Sequence, residues 1–493
     1  MLELAKSFSV SKVFSDGMVL QRGEKIKVWG WAEPSEEAKY IEVEFGGLKA
    51  YGKVRQGKWC AEFDEVFCAC AVPQSMNIYG DGCYETFDDL LIGDVFICMG
   101  QSNIRYSVAD VRRNAPEGSS GKDFYPSDDD LIRLYRCSIH DADDNNIYPP
   151  RGTVGVVEDI RYARGWQYPA EGGEDFSAIG YYTAFMIDQM THDIPIGLIE
   201  IDADGQGLCS FYPNDYADEN ELDSLNGNVY QSIFLGGEAT PTRFVYNHFI
   251  APFVNYPICG MIWYQGESDC HPDNASTYAV RFKGLIENYR RKWSIDFPVY
   301  MVELPSCYDK PDALSEEDVW AFIDFSAVRM EMGRIPNMLD KVYITASSDL
   351  WLDRNFWNSL HPYCKWGQAK RLSETILAVQ YGMGDVEYAL APQMTEVFYN
   401  GNDATVRFKY KAGGLTSVDS SDIKGFEILI NGEWIASKRI NVLDDDDVII
   451  NADSEIMGVR YNAHIENSFT DEVNLSNGEG IPAIAFVDVK RHL

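Results

Sequence analysis

Residues 94–103 read DVFICMGQSN, an apolar run that ends on a glycine and is followed by a glutamine, a serine and an asparagine. Four more short apolar runs follow along the chain: IPIGLIEI (194–201), CGMIWYQ (259–265), PVYMVEL (298–304) and KVYITASS (341–348). Amphipathic segments at 178–190 and 277–293 lie between them. Buried strands that alternate with helices indicate a parallel α/β sheet with helices on both faces.

The chain on either side of this region has a different pattern. Residues 1–92 and 391–493 alternate apolar and polar residues between glycines and prolines, which is typical of β-strands. We therefore predict an N-terminal β segment (1–92), a central α/β domain (93–390) and a C-terminal β segment (391–493). We expect the two β segments to pack together as one β-sandwich, since the chain ends around an inserted domain must lie close together.

The stretch 106–177 has weak periodicity and many Asp, Gly and Pro residues. We interpret it as a long loop of the central domain, and long loops in compact domains are often functional. This one is expected to form one wall of a cleft.

The composition is that of a folded globular protein, with 45% hydrophobic and 24% charged residues. A formal net charge of −35 repels nucleic-acid phosphates and anionic lipid, so we expect neither as a partner. No apolar run approaches the ~20 residues that cross a bilayer, and the N-terminus lacks the features of a signal peptide. We therefore expect a cytoplasmic protein.

The cysteines and the motifs bear on cofactors. The eleven cysteines include no CxxC pair, which favours free thiols in a reducing compartment over a disulfide framework. The sequence has neither the clustered His/Cys spacing of a zinc site nor a GxxxxGK[ST] phosphate-binding loop. We expect no metal and no organic cofactor.

Chemically useful side chains follow several of the predicted strands. Ser102 follows the first strand, Gly205 the second, and Gln265 and Glu267 the third, while His361 lies on a later loop. Each has an ordinary structural alternative, such as a helix cap for the serine or a plain turn for the glycine. In an open α/β sheet, however, ligands bind at the carboxyl ends of the strands. Together these residues supply what acyl transfer needs.

Four blocks stand in order along the chain: FSDGMVLQ (14–21), GQSN (100–103), WYQGE (263–267) and LHP (360–362). They resemble the signature blocks of the sialate O-acetylesterases, which are SGNH-type hydrolases. The C-terminal stretches GFEILING (425–432), GVRY (458–461) and GIPA (480–483) also fit that pattern. The resemblance covers nearly the whole chain, and it implies an SGNH-hydrolase-like sheet and the removal of O-acetyl groups from sugars.

The resemblance also implies roles for individual residues. Ser102 is similar to the nucleophile of the family and His361 to its base. The backbone N–H of Ser102, together with Gly205 and Gln265, matches the positions that form the oxyanion hole. In the implied mechanism His361 takes the Ser102 proton, Ser102 attacks the acetyl carbonyl, and water then cleaves the acetyl-enzyme.

Two departures from the family pattern matter for this mechanism. The position three residues before His361 is Asn358, where the common SGNH arrangement has an aspartate. We favour Asp353 as the substitute acid, with Glu267 as a second candidate and a Ser-His dyad as the remaining alternative. Asp204 precedes Gly205 where many relatives have a second glycine, and we expect its carboxylate to point away from the oxyanion hole or to contact substrate hydroxyls.

Aromatic side chains near these motifs suit a sugar substrate, because the C–H faces of sugar rings stack on aromatic planes. Core packing is the ordinary alternative for each of them. The candidates are Tyr106, Trp166, Tyr212, Trp351 and Trp357.

The sequence therefore predicts a serine carbohydrate O-acetylesterase. Its expected substrate is an acetylated hemicellulose oligosaccharide, of mannan or xylan, or an O-acetyl sialic acid. A homo-oligomer is compatible with the sequence. The alternatives are a catalytically impaired carbohydrate-binding protein on the same fold, which the two departures motivate, and an esterase for non-sugar esters.

Overall fold

The structure is a computed structural model that describes residues 2–128, 131–138, 155–160, 164–219, 243–270, 272–306, 325–350, 360–444, 447–464 and 471–490. The strands are β1 (Ser9–Val10), β2 (Val19–Gln21), β3 (Lys25–Trp31), β4 (Tyr40–Phe45), β5 (Leu48–Lys53), β6 (Lys58–Val66), β7 (Cys70–Tyr79), β8 (Tyr84–Gly100), β9 (Ile132–Ser138), β10 (Trp166–Gln167), β11 (Ile196–Asp202), β12 (Gly260–Tyr264), β13 (Val299–Val302), β14 (Val342–Thr345), β15 (Gln393–Asn400), β16 (Asp403–Lys409), β17 (Leu415–Ser417), β18 (Phe426–Ile430), β19 (Glu433–Ala436), β20 (Ile440–Val442), β21 (Val448–Asn451), β22 (Gly458–Tyr461), β23 (Leu475–Asn477) and β24 (Phe486–Val489).

Helices occur mainly between the strands of the central region. The α-helices are Ser102–Arg105, Val108–Asn114, Pro169–Gly172, Ala178–Thr191, Asn214–Glu219, Pro272–Ala275, Tyr278–Trp293, Phe325–Arg334, Lys365–Gln380 and Val386–Ala389. Short 3-10 turns lie at Pro34–Glu36, Leu208–Phe211, Ala251–Phe253, Glu267–Asp269 and Ile335–Asn337, and a π turn lies at Tyr246–Ile250. Within the described ranges, no helix is both long and apolar enough to cross a bilayer.

The central sheet is the parallel sheet that the sequence predicts. Its strand order is β10-β9-β11-β8-β12-β13-β14, and only the edge pair β10–β9 is antiparallel. Cys98 of β8 packs against Gly180 of the helix Ala178–Thr191. Trp263 of β12 lies opposite Met99 and packs edge-on against Phe282 of the helix Tyr278–Trp293. Because neighbouring residues of a strand point to opposite faces, helices cover both faces of this sheet.

Strand β8 joins the N-terminal segment to the central sheet. Its first half pairs with β2 and β7, whereas its second half pairs with β11 and β12. Apolar residues of the N-terminal segment and of the central domain accordingly form one continuous buried cluster. The predicted boundary at residues 92/93 falls inside this unbroken strand.

The C-terminal segment is separate from the N-terminal one, contrary to our expectation of a shared β-sandwich. Its described strands form three sheets of their own, and its buried apolar residues form a second cluster. The physical reason lies in β8: the apolar face of the N-terminal segment is already covered by the central domain. The C-terminal segment instead contacts the helix Phe325–Arg334 through β24.

The stretch 106–177 is not the long loop that we expected. In its described part it contains β9, β10 and the helices Val108–Asn114 and Pro169–Gly172. The sequence of β9, IRLYRCS, does not read as a buried strand, because two arginines interrupt its apolar pattern. Both are compensated by carboxylates: Arg133 lies 3.5 Å from Asp89, and Arg136 lies near the two acids of β11.

Candidate active site

The central sheet brings three of the sequence motifs to one edge. Strands β11, β8 and β12 are adjacent and parallel, and their last residues, Asp202, Gly100 and Tyr264, are in register. The chain segments that follow these strands therefore begin side by side. They carry Gly205, Ser102 and Gln265, as the sequence predicts.

The turn after β8 is shaped by a close approach of two strands. A Cβ atom on Gly100 would lie 1.9 Å from the backbone oxygen of Tyr264, so only glycine fits there. Ser102 follows at the start of the short helix Ser102–Arg105 and is partly buried. Its hydroxyl and its backbone N–H form no hydrogen bond with any part of the chain that the structure describes. The same holds for the N–H of Gly205, whose φ of 67° turns the chain sharply after β11.

Asn103 joins the segment of Ser102 to the segment of His361. Its Nδ2 atom donates to the backbone oxygen of Leu360 at 2.9 Å, which fixes the residue next to His361 against the residue next to Ser102. The imidazole of His361 stacks on the ring of Tyr106, with a centroid distance of 6.5 Å and an interplanar angle of 23°. This hydrogen bond thus joins the sequence neighbour of Ser102 to the sequence neighbour of His361.

The environment of His361 keeps its ring neutral. Burial is the main cause that lowers the pKa of His361 to about 4, and the positive charge of Lys365 lowers it further. Asp204 acts in the opposite direction. A histidine with this pKa is unprotonated at neutral pH, which is the state that a general base requires.

Behind Ser102 lies a buried polar array of which we predicted only Glu267, as a candidate acid for His361. The Asn103 side chain donates to Glu267 Oε1 at 2.5 Å and accepts from Lys365 Nζ at 2.6 Å. All three side chains are buried. Burial raises the pKa of Glu267 to about 7 and lowers the pKa of Lys365 to about 7. The ammonium also faces the rings of Tyr106 and Tyr264, at 5.2 and 4.8 Å from their centroids.

The carboxylate of Asp204 forms an ion pair with an arginine. Its carboxylate accepts a hydrogen bond of 2.8 Å from Arg105 Nη1, one turn after the nucleophile. The pair links the loop of Gly205 to the helix of Ser102. The expectation that the carboxylate points away from the oxyanion hole or contacts substrate hydroxyls stays a prediction.

Gln265 is buried in a network that uses its amide. Its Nε2 atom donates to Asp269 Oδ2 at 2.7 Å and lies 3.3 Å from the oxygens of Gln101 and Gln206. Its Oε1 atom accepts from the Tyr278 hydroxyl at 3.0 Å. An amide has two N–H bonds, so in this arrangement Gln265 has none left for an oxyanion. The predicted role of its amide would require the loss of one of these bonds.

Asp269, which anchors the Gln265 amide, is itself held by a buried ion pair. Arg281 Nη2 lies 3.1 Å from Asp269 Oδ1, and both side chains are almost fully buried. Asp269 also accepts from the backbone N–H of Leu208 at 2.7 Å, close to the loop of Gly205. The network therefore fixes two of the strand-end loops against each other.

The remaining predicted residues divide into two groups. Trp166 is 7% exposed, donates from Nε1 to the Val13 oxygen at 3.1 Å and packs against Tyr135 and Tyr256, so it is a core residue and we withdraw its predicted contact with substrate. Tyr212 is fully buried as well. The other candidates lie outside the described residues: Trp351, Asp353, Trp357 and Asn358.

No trio of His, Cys, Asp or Glu side chains within the described ranges is arranged to hold a metal ion. Every cysteine that the structure describes is a free thiol.

Comparison with known proteins shows which family this chain resembles. Residues 173–359 match the family described as carbohydrate esterase, sialic acid-specific acetylesterase. The resemblance to the sialate O-acetylesterases is confirmed. The sialate O-acetylesterase of Mus musculus is 23% identical over 425 residues, which cover 76% of this chain and 73% of that protein. The human sialate O-acetylesterase is 25% identical over 310 residues, or 60% of this chain.

The matched region spans 54% of the length of the human and Pongo abelii sialate O-acetylesterases. A solved structure shares the fold more fully. The carbohydrate acetylesterase from Xanthomonas citri matches 98% of this chain and 99% of its own, with a TM-score of 0.75 and 22% identity. The fold that is shared with this protein therefore includes both β segments as well as the central sheet.

Proposed function

We propose that this protein is a serine carbohydrate O-acetylesterase that works through an acetyl-enzyme intermediate. The observation that carries the proposal is the Asn103 side chain, which bonds to Leu360 and to Glu267. It ties the segments of the nucleophile, the base and a buried carboxylate together. The relatives support carbohydrate O-acetylesterase chemistry, and the serine mechanism is inferred from the site.

The first half of the reaction uses residues on three strand ends. His361 takes the proton of the Ser102 hydroxyl, and the oxygen attacks the acetyl carbonyl. The N–H groups of Ser102 and Gly205, which have no partner among the described residues, stabilise the oxyanion. His361 then gives the proton to the departing sugar hydroxyl. In the second half, water attacks the acetyl group by the same route in reverse.

Two acids, Glu267 and Asp353, are candidates for orienting the imidazole of His361. Glu267 is bonded to Asn103 and forms no hydrogen bond to the imidazole among the described residues. Its proposed role is therefore to position Asn103, and through it the loop of His361. Asp353 remains the proposed partner of the imidazole, and a Ser-His dyad is the alternative.

The proposed substrate is a sugar that carries an O-acetyl group. Acetylated mannan or xylan oligosaccharides and O-acetyl sialic acid are the two candidate classes. The relatives include sialate O-acetylesterases and a carbohydrate acetylesterase, so both classes belong in the test.

The test measures acetate release from acetylated glucomannan and xylan oligosaccharides, from O-acetyl sialic acid and from para-nitrophenyl acetate. Wild type is compared with Ser102→Ala and with Ser35→Ala, an exposed serine of the N-terminal segment. We expect release from one sugar class, a loss of about 10³-fold or more in Ser102→Ala, and no change in Ser35→Ala. Release from none of the sugars would contradict the proposal, and sugar binding without release would support the binding-protein alternative.

A further inference from the structure

A cavity of about 580 Å³ lies in the N-terminal segment, away from the strand ends that carry Ser102. Strands β3, β5 and β6 form most of its wall, and residues 251–255 of the central domain close it on one side. Its volume is within the range of about 300–1,000 Å³ that is usual for small-ligand sites. Its lining combines aromatic and basic side chains.

The pairing of β3 with β6 explains why these side chains share the cavity. Trp31 lies opposite Lys58, and Trp29 lies opposite Cys60. Since residues two apart on a strand point to the same face, these four residues belong to one face of the sheet. Strand β5 adds Tyr51 and Lys53, again two residues apart and both exposed. The cavity therefore has an aromatic floor with basic side chains around it.

The aromatic floor is partly fixed and partly accessible. Trp59 is buried and donates from Nε1 to the Ser9 oxygen at 3.2 Å, and Trp29 packs edge-on against Phe14. Tyr51 is 43% exposed, and Trp31 is partly exposed. Tyr51 and Trp31 are thus the accessible aromatic side chains of the lining, while Trp29 and Trp59, which point to opposite faces of this sheet, are fixed by their contacts.

The positive charges are concentrated by a tight turn. Gln56 and Gly57 both have positive φ, at 53° and 75°, and form the two-residue turn between Arg55 and Lys58. Turns of this kind place their flanking residues directly opposite each other. Like charges in opposite positions repel. The hairpin therefore holds Arg55 and Lys58 together at a cost in electrostatic free energy, which a bound anion would reduce.

The carboxylates near the cavity leave part of this charge uncompensated. Glu158 pairs with Lys58 at 2.8 Å. Glu42 lies opposite Tyr51 and pairs with Lys49 at 2.6 Å, and Glu37 accepts from the Gln56 N–H in the turn itself at 2.9 Å. Among the described residues, neither Lys53 nor Arg55 has a carboxylate within 4.0 Å. That is notable in a chain with 77 acidic and 42 basic residues, where acidic partners are abundant.

We infer that this cavity binds a saccharide unit that carries a carboxylate. The apolar face of the sugar ring would lie on Tyr51 and Trp31, and the carboxylate would bind Arg55 and Lys53. Uronic acids and sialic acids share this chemistry. The inference goes beyond the proposed esterase function, because none of the residues involved takes part in the catalytic site.

The test is calorimetric titration of the full chain carrying Ser102→Ala, so that catalysis cannot consume a ligand. The probes are a glucuronic-acid-bearing xylo-oligosaccharide, N-acetylneuraminic acid and a neutral xylo-oligosaccharide of equal length. We expect one acidic probe to bind, with an affinity that falls as salt rises, and the neutral probe to bind at least about tenfold more weakly. The acidic probe that binds identifies the source of the carboxylate.

Variants separate the cavity from general electrostatics. The double variant Lys53→Ala/Arg55→Ala is expected to bind the acidic probe about tenfold or more weakly than the parent. Tyr51→Ala is expected to bind it more weakly as well. Lys25→Ala/Lys27→Ala removes the same charge from β3 at positions paired with Glu62 and is expected to change little. Three results would overturn the inference: no binding of either acidic probe, equal binding by the Lys53/Arg55 variant, or equally tight binding of inorganic phosphate, which would indicate a general anion site. None of these results depends on whether Ser102 is the nucleophile.

Discussion

At the scale of single residues, the protonation state of His361 is the property that the site controls most clearly. Burial and the charge of Lys365 lower the pKa of its imidazole to about 4. We therefore predict that the acidic limb of kcat/KM that arises from this imidazole lies near pH 4, and that any change near neutral pH arises from Glu267 and Lys365, whose pKa values are about 7. A pH-rate profile checks this. Protonation of the imidazole near the ordinary histidine pKa of about 6.5, measured by NMR, would contradict this lowered pKa and would fit an imidazole that is paired with the proposed Asp353.

The lowered pKa of His361 also makes the free energy of unfolding depend on pH. A histidine in the unfolded chain takes up a proton near pH 6.5, whereas His361 in the folded chain does so only near pH 4. Between these values the unfolded state binds more protons, so the contribution of this group to stability is lost as the pH falls. Denaturant unfolding of wild type and His361→Gln should therefore converge as the pH is lowered from about 6.5 to about 4.

We expect substitution of the buried Lys365 to lower both the stability and the activity of the protein. Lys365→Met leaves Asn103 Oδ1 without its donor in a buried position. We predict a loss of about 1–3 kcal/mol in the free energy of unfolding, together with a reduced kcat, because Asn103 also holds the loop of His361. Lys370→Met, on the exposed side of the same helix, is the control and should change little. Equal stability of the two variants would contradict a structural role for Lys365.

The sequence predicted the residues at the strand ends better than the residues that support them. Ser102 and Gly205 were found because each follows a strongly apolar run, and His361 because it precedes a helix in a family block. Lys365 was missed, although a signal existed: it shares a helix face with Ala369 and Leu372, which are apolar. Trp166 was assigned wrongly because sequence alone does not distinguish a tryptophan in a core from one in a pocket.

At the scale of elements, β8 has the most demanding position. It links two segments of the molecule, and its last residue touches the backbone of β12. We predict that Gly100→Ala separates these strands just before Ser102 and lowers the free energy of unfolding by about 3 kcal/mol or more. Gly155→Ala, where a Cβ meets no atom of the described residues within 4 Å, is the control. Unfolding curves and acetate release measured on both variants test this; a stable and active Gly100→Ala protein would contradict the packing described here.

The strands of the central sheet were largely predictable from the sequence, except for one. Apolar runs identified β8, β11, β12, β13 and β14, since strands buried on both faces have continuous apolar sequences. Strand β9 was missed because Arg133 and Arg136 interrupt its pattern. Their carboxylate partners come from other elements, so the compensation that permits a buried arginine is a property of the tertiary structure.

At the scale of the whole molecule, the C-terminal segment is joined to the central domain by buried polar contacts. Arg329 of the helix Phe325–Arg334 is fully buried and donates to the backbone oxygens of His464 and Asn462, at 2.7 and 3.2 Å. Glu303, after β13, accepts from the Ala485 N–H at 3.2 Å. The expected sandwich of the two β segments failed because periodicity reveals which face of a strand is apolar but not which partner covers it.

We predict that Arg329→Met weakens this junction. Two backbone oxygens lose a charged donor in a buried position, which should cost about 2–4 kcal/mol in the free energy of unfolding. Acetate release at low temperature should be retained, because the catalytic residues are not touched. Arg439→Met, at an exposed ion pair in the C-terminal segment, is the control. A thermal unfolding midpoint equal to that of the control would show that the contacts of Arg329 do not hold the segment.

The central claim is that Ser102 carries the acetyl group during the reaction. Rapid-quench mass spectrometry of the intact protein reacting with para-nitrophenyl acetate, followed by peptide mapping, tests it most directly. We predict a single acetyl group on the peptide that contains Ser102, which disappears as acetate is released, and no adduct in Ser102→Ala. Acetate release that continues without an adduct on Ser102, or an adduct on another residue while Ser102→Ala keeps its rate, would contradict the account.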